Sequence, residues 1–331
     1  MAKKPTLSSD SRKLKGAGNL QDARELKGGA YTDVKELIEM RYAGRNLNHF
    51  KTHAKYNPLS GLLASKFRGR GVDFAEVRIY QPGDEIRSID WKVTARTQHP
   101  HTKLFQIEKE RPFYILVDQS TSMFFGSVHA LKSVLAAECA ALAAWNALHR
   151  GDRVGGIIFS EKSSREVRAR SSKSSVLRFL YELDHCNRVL SGKPAKGNSP
   201  YLSNALFRLR RITKHDSAVL IISDFASLEE QATLQLRDLM QHNQVMGVHI
   251  SDPLEKELPK PDRYTITNGV TRSHINTSSK QYREDYALNF KNRLKKVKFE
   301  FARTGSPLVE LSTKQKLVSE LAASMSGIRQ S

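Results

Sequence analysis

Apolar positions change their rhythm along the chain. Residues 1–31 carry Gly, Ser and Lys with no apolar period, which predicts a disordered basic tail. Thr32 or Asp33 can cap a short helix with Val34, Leu37, Ile38 and Tyr42 on one side. From residue 69 to residue 111, Val72, Phe74, Val77 and Ile79 alternate with polar residues, and the frame slips at Ala75 and Glu76 as at a β-bulge. Gln81-Pro82-Gly83-Asp84 reads as a turn, and residues 102–107 as another extended stretch. Residues 32–111 are therefore expected to form an N-terminal helix and a small β-rich unit.

After Arg111, strand and helix alternate. Residues 113–117 form a short apolar run suited to a buried strand. Gly126-Ser127 can cap a long helix with Leu131, Val134, Leu135, Leu142 and Trp145 at helical spacing. Residues 154–159 predict a second strand with 164–170 beside it, residues 172–185 a helix, and 187–200 a loop leading into another helix. Residues 218–222 predict a buried strand running into Ser223-Asp224, followed by a helix over 228–242 and a strand over 245–250. Residues 252–279 look like an irregular or hairpin insertion, before a long amphipathic helix marked by Tyr282, Tyr286, Phe290, Leu294, Val297 and Phe301. A strand at 308–311 and a helix at 313–325 complete the series. This alternation predicts an α/β fold over residues 112–331, a doubly wound and mainly parallel sheet covered on both faces.

Composition adds a partner class. The 331 residues include 54 Lys and Arg against 34 Asp and Glu, a net charge of +20. The excess is +9 over residues 1–111, +4 over 112–254 and +7 over 255–331, so it gathers at the ends. The densest patch holds Arg41, Arg45, Lys66, Arg68 and Arg70, with no acid between Glu39 and Asp73. It is either a solvated face or a surface for acidic partners. Two cysteines, Cys139 and Cys186, exclude a disulfide framework. With no leader-like segment and no apolar run of about 20 residues, the expectation is a cytoplasmic protein.

Familiar catalytic motifs are missing: no G-x-x-x-x-G-K-[ST], no G-x-S-x-G and no H-E-x-x-H. His99 and His101 have no zinc-ligand companions at the right spacing, and Cys139 lies on an apolar helix. One pattern stands out. The first strand of the alternating region runs into Asp118-Gln119-Ser120-Thr121-Ser122, at the carboxyl end where such folds hold ligands. Asp224 closes another strand at the same sheet edge. A carboxylate and two hydroxyls at i, i+2 and i+4 are hard oxygen ligands suited to Mg²⁺, with Mn²⁺ and Ca²⁺ as alternatives. The same residues could instead merely cap the loop and the next helix.

The D-x-S-x-S motif resembles the metal-ion-dependent adhesion site of the von Willebrand factor A fold. A second block narrows the resemblance: Asp73, Glu76 and Arg78, then Gly83-Asp84, then Arg87, Asp90, Trp91 and Arg96, with Asp252-Pro253 and Glu257-Leu258-Pro259 further on. It looks like the signature of bacterial domain-of-unknown-function family 58, and the likeness covers about residues 32–328. The resemblance implies a von Willebrand factor A-like domain with Asp118, Ser120, Ser122 and Asp224 at its metal site. The family's Thr-Asp-Leu is not reproduced. Leu202 fits its Leu, Pro200 and Tyr201 take the other places, and Ser199 can supply the missing hydroxyl.

The resemblance also implies a MoxR-type AAA+ ATPase as partner and chaperone-like assembly or maturation of client proteins as the task. The leading expectation is a non-enzymatic adaptor that grips a client's Asp or Glu through its metal. A nucleic-acid or anionic-surface binder acting through basic patches is the alternative, and a metal-dependent phosphoesterase a third. The signature block is expected to lock the β unit to the main domain through carboxylate–guanidinium pairs, with partner contact as its alternative role.

Overall fold

The computed structural model describes residues 29–46, 72–82, 84, 86–107, 111–190, 200–267 and 272–314. The expected tail lies outside these residues apart from 29–31, where the Tyr31 hydroxyl donates to the Leu190 carbonyl at 3.2 Å, and the helix expected at 313–325 lies outside them apart from 313 and 314.

The alternating apolar pattern folds as the sequence implies. Strands β1 (Val72–Ile79) and β2 (His101–Ile107) pair antiparallel, and their register slips between Phe74 and Glu76, where the bulge was expected. The larger domain is built on β3 (Pro112–Asp118), β4 (Arg153–Phe159), β5 (Ser164–Arg170), β6 (Ala218–Ser223) and β7 (Gln244–Ser251). The hairpin of β8 (Arg263–Thr267) and β9 (Arg272–Asn276) follows, then β10 (Leu308–Ser312). Six strands share one sheet in the order β10-β7-β6-β3-β4-β5, all parallel except the edge strand β5. This is the doubly wound, mainly parallel sheet that the resemblance to the von Willebrand factor A fold implies.

Both faces are covered, as period-two burial requires. Phe113, Ile115 and Val117 of β3 face one core with the helices Lys132–His149 and Lys173–Val189. Tyr114 and Leu116 face the other, with Tyr201–Ile212, Glu230–His242 and Lys280–Arg303. The Lys132–His149 helix is buried on nearly every side, because the helices Val34–Glu39 and Arg41–Asn46 cover its outer face. Trp145 Nε1 donates to the Leu37 carbonyl at 3.0 Å, and Asn146 Nδ2 to the Gly44 carbonyl at 2.9 Å. A helix apolar all round needs such a second cover.

Two local expectations are corrected. The long helix begins at Lys132, not after Gly126-Ser127. Ser127 does not cap it, because both its N–H and its hydroxyl donate to Asp252, at 2.7 and 2.6 Å. The helix expected to end at residue 185 continues to Val189. The insertion expected after residue 252 contains the hairpin of β8 and β9, preceded by the short helix Pro253–Lys256, which a capping box of Asp252 and Glu255 opens.

Candidate functional site

The parallel strands β3 and β6 end side by side, which brings Asp118 and the Ser223-Asp224 pair together. Asp118 Oδ1 accepts the Ser120 N–H at 2.9 Å, folding the loop back on the strand end. Asp118 Oδ2 accepts the Ser223 hydroxyl at 2.6 Å. The Ser120 and Ser122 hydroxyls are 3.1 Å apart, and Ser122 is also bonded to Asp224. The loop is braced from below. Gln119 Nε2 donates to the Ser133 carbonyl at 2.9 Å, Asn187 Nδ2 donates to Gln119 Oε1 at 3.0 Å, and the Thr32 N–H donates to Asn187 Oδ1 at 2.8 Å.

Four participants were not foreseen. Lys132, fully buried at the start of its helix, donates to Asp224 Oδ2 at 2.8 Å and to Glu255 Oε1 at 2.5 Å. Its legible signal is a cation opening the most apolar helix of the chain, and that of Glu255 is its place three residues after the cap Asp252. Ser223 left no signal beyond its strand-end position. Tyr201, where the family pattern has Thr-Asp-Leu, bonds to Ser120 and to Ser227. Ser199, the expected substitute, lies outside the described residues, so the hydroxyl seen reaching Ser120 from this side is that of Tyr201.

Charges follow the geometry. Burial, and then the Asp224 charge, hold the Asp118 carboxyl well above the ordinary carboxylate range, against the bonds from Ser120 and Ser223. Burial pushes Asp224 the same way, but the Lys132 charge and hydrogen bond outweigh it and bring Asp224 below its usual value. Burial would lower Lys132, and its two carboxylates raise it instead. Asp224 and Glu255 thus share the buried Lys132 ammonium, and Asp118 faces Asp224 without a cation of its own.

This donor set fits a hard divalent cation. Every group is oxygen, and the separation of the two serine hydroxyls is close to the ~2.9 Å between neighbouring oxygens about Mg²⁺ bound at ~2.1 Å. Among the described residues no three His, Cys, Asp or Glu side chains gather as a metal site, so a cation would rest on two carboxylates and hydroxyls. Asp224 Oδ2 already holds the Lys132 ammonium, whereas the Asp118 oxygens accept from the Ser120 N–H and the Ser223 hydroxyl, which leaves Asp118 as the carboxylate not already matched to a cation.

The other expected residues lie apart. Arg78 pairs with Asp84 at 2.7 Å inside the small unit, so this pair does not lock the unit to the main domain. Asp90 caps the helix Trp91–Thr97 through the N–H groups of Lys92 and Val93. Trp91 is 67% exposed, and Arg87 and Arg96 are exposed too. The side chains of Asp73 and Glu76 lie outside the described residues. In the basic patch, the Arg41 guanidinium lies 4.5 Å over the Tyr42 ring, Arg45 is on the same helix, and Lys66, Arg68 and Arg70 lie outside the described residues. Among the described residues no helix is long and apolar enough to cross a membrane.

Residues 76–296 match the family described as "Protein of unknown function DUF58". The uncharacterized protein Rv1480 of Mycobacterium tuberculosis is 29% identical over 248 residues, 74% of this chain and 76% of its own. Among solved structures, BatB from Bacteroides thetaiotaomicron aligns with a TM-score of 0.38 at 14% identity, covering 67% of this chain and 100% of that one. A von Willebrand factor type A protein from Catenulispora acidiphila aligns with a TM-score of 0.31 at 16% identity, over 46% of this chain and 35% of that one.

Proposed function

The chain belongs to the DUF58 family, and on that premise we propose that it is a non-enzymatic adaptor that binds partner proteins at the carboxyl end of its parallel sheet. The observation that carries this reading is the oxygen cluster of Asp118, Ser120 and Ser122, in which Asp118 faces Asp224 while the one buried cation, Lys132, is taken up by Asp224 and Glu255. Such a cluster is completed by added positive charge. Asp118, Ser120 and Ser122 would hold Mg²⁺, or Mn²⁺ or Ca²⁺ in its place, with Asp224 and Tyr201 around them. A bound divalent cation supplies a point charge that an Asp or Glu of another protein can recognise.

Binding is favoured over catalysis by the roles of the groups. The Ser120 and Ser122 hydroxyls are engaged with each other, Tyr201 and Asp224. Lys132, the cation of the cluster, has no exposure and cannot clamp a phosphate of a substrate. The family resemblance suggests a MoxR-type AAA+ ATPase as the working partner, with this chain selecting clients for chaperone-like assembly or maturation in the cytoplasm.

The test is co-purification of the full chain with a MoxR-type ATPase from the same genome, in Mg²⁺ and in EDTA. Association that needs Mg²⁺ and is lost in Asp118→Ala is the expected result. Association indifferent to EDTA and to Asp118→Ala, but lost steeply with salt, would transfer recognition to the basic surfaces.

A further inference from the structure

Thr121 of the Asp118–Ser122 loop also borders a concavity of about 150 Å³. It opens between the turn at residues 160–163 and the last turn of the Lys173–Val189 helix, with Thr121 forming the shared wall. Its volume is far above the ~10–15 Å³ that a single water needs.

The lining is unbalanced in charge. Lys162, Arg165 and His185 all border it, and among the described residues none of the three has a carboxylate partner. The Arg165 charge acts on the Cys186 thiol, which sets the guanidinium close to the cavity wall. One carboxylate, Glu161, also borders the space, and its Oε1 accepts the Thr121 N–H at 2.6 Å. Glu182, one helical turn before Cys186, is not part of the lining. Cations from two elements around a concave, partly apolar wall concentrate positive potential within it.

We propose that this cavity is an anion subsite for a carboxylate or phosphoryl group. Resting on the partner-binding reading above, it takes a second acidic group of the same partner segment whose first acid engages the Asp118 cluster. Thr121 lies between Ser120 and Ser122 in sequence and also borders the cavity, so the two sites share one short loop. The partner is then a segment with two acids rather than one.

Cys186 supplies the readout. It borders the cavity, whereas Cys139 is fully buried with its thiol pushed up to about 12 by burial and then Glu138. The full chain is labelled with a thiol reagent in the presence of inorganic phosphate or succinate, without metal. At ten times the anion's Kd, labelling of Cys186 slows about tenfold, following the factor 1 + [L]/Kd. Arg165→Glu combined with Lys162→Glu abolishes the protection, while Asp118→Asn retains it. That retention separates the proposal from failure of the metal-dependent reading. Saturable protection by succinate alone assigns a partner carboxylate, and by phosphate alone a phosphoryl group. Labelling unchanged by either anion, or protection that survives the double charge reversal, overturns the proposal.

Discussion

Lys132 Nζ lies 2.8 Å from Asp224 Oδ2 with no solvent exposure of the lysine side chain, so the strand-end site contains a cation of the protein's own. Glu255 holds the same ammonium from the short helix Pro253–Lys256. Removing one member of a buried ion cluster leaves the others unpaired, at a cost of about 3–5 kcal/mol. Lys132→Met should lose that much stability in urea unfolding. A change within about 1 kcal/mol would mean that water reaches Asp224 and Glu255 freely.

Asp118→Asn should behave oppositely. It removes a buried carboxyl that Asp224 opposes, so stability in EDTA stays level or rises. The stabilisation by divalent cation disappears. For the unaltered chain that gain is about 2.7 kcal/mol when Mg²⁺ or Mn²⁺ stands at a hundredfold excess over Kd. Thermal melts with and without metal read both effects. A metal-induced shift that persists in Asp118→Asn would remove this residue from the ligand set.

Glu138, 8% exposed within the Lys132–His149 helix, has its carboxyl pushed up to about 7 by burial and then by the Glu36 charge. The folded state therefore favours the protonated acid. Its contribution to stability is full below the ordinary value near 4.5, falls as pH rises toward about 7, and is lost above that. The span corresponds to about 3 kcal/mol at most. Glu138→Gln should flatten this part of the stability–pH curve and stabilise the protein above neutrality. An unchanged curve would show that Glu138 is solvated.

Gly156 sits in the middle of β4, where an added Cβ would meet the Ile115 carbonyl oxygen at 2.2 Å and the Phe179 ring at 2.9 Å. The backbone of β3 cannot move away without breaking the sheet. Gly156→Ala should destabilise by about 1–3 kcal/mol or more, as overpacking does, with a lowered denaturation midpoint. Full stability would require β3 and β4 to separate locally at no cost.

The sheet was legible because its signals are local and repeated. Buried parallel strands read as short apolar runs, and residues 113–117 and 218–222 appear where β3 and β6 lie. The meeting of Asp118 with Asp224 followed from strand-end position alone. What could not be read was side-chain reach. Lys132 is visible as a cation opening an apolar helix, but that its ammonium turns inward is decided by the meeting of Asp224 and Glu255 at the strand ends. Tyr201 reaches Ser120 across the sheet end by the length of its ring, where the family pattern led the eye to a short hydroxyl at Ser199. The start of the Lys132–His149 helix was misjudged for a similar reason. Ser127 answers to Asp252, 125 residues away, rather than to its own helix.

That carboxylate has a mechanical meaning. Asp252 accepts from the Ser127 N–H and hydroxyl, from the Leu254 N–H and from the Thr313 hydroxyl, and so knots together the loop leaving β3, the end of β7 and the chain just beyond β10. A tug on the loop leaving β3 is thereby divided among three strand ends before any one of them is strained. Any force on that loop is borne by an anchorage that comes down to the two oxygens of one side chain.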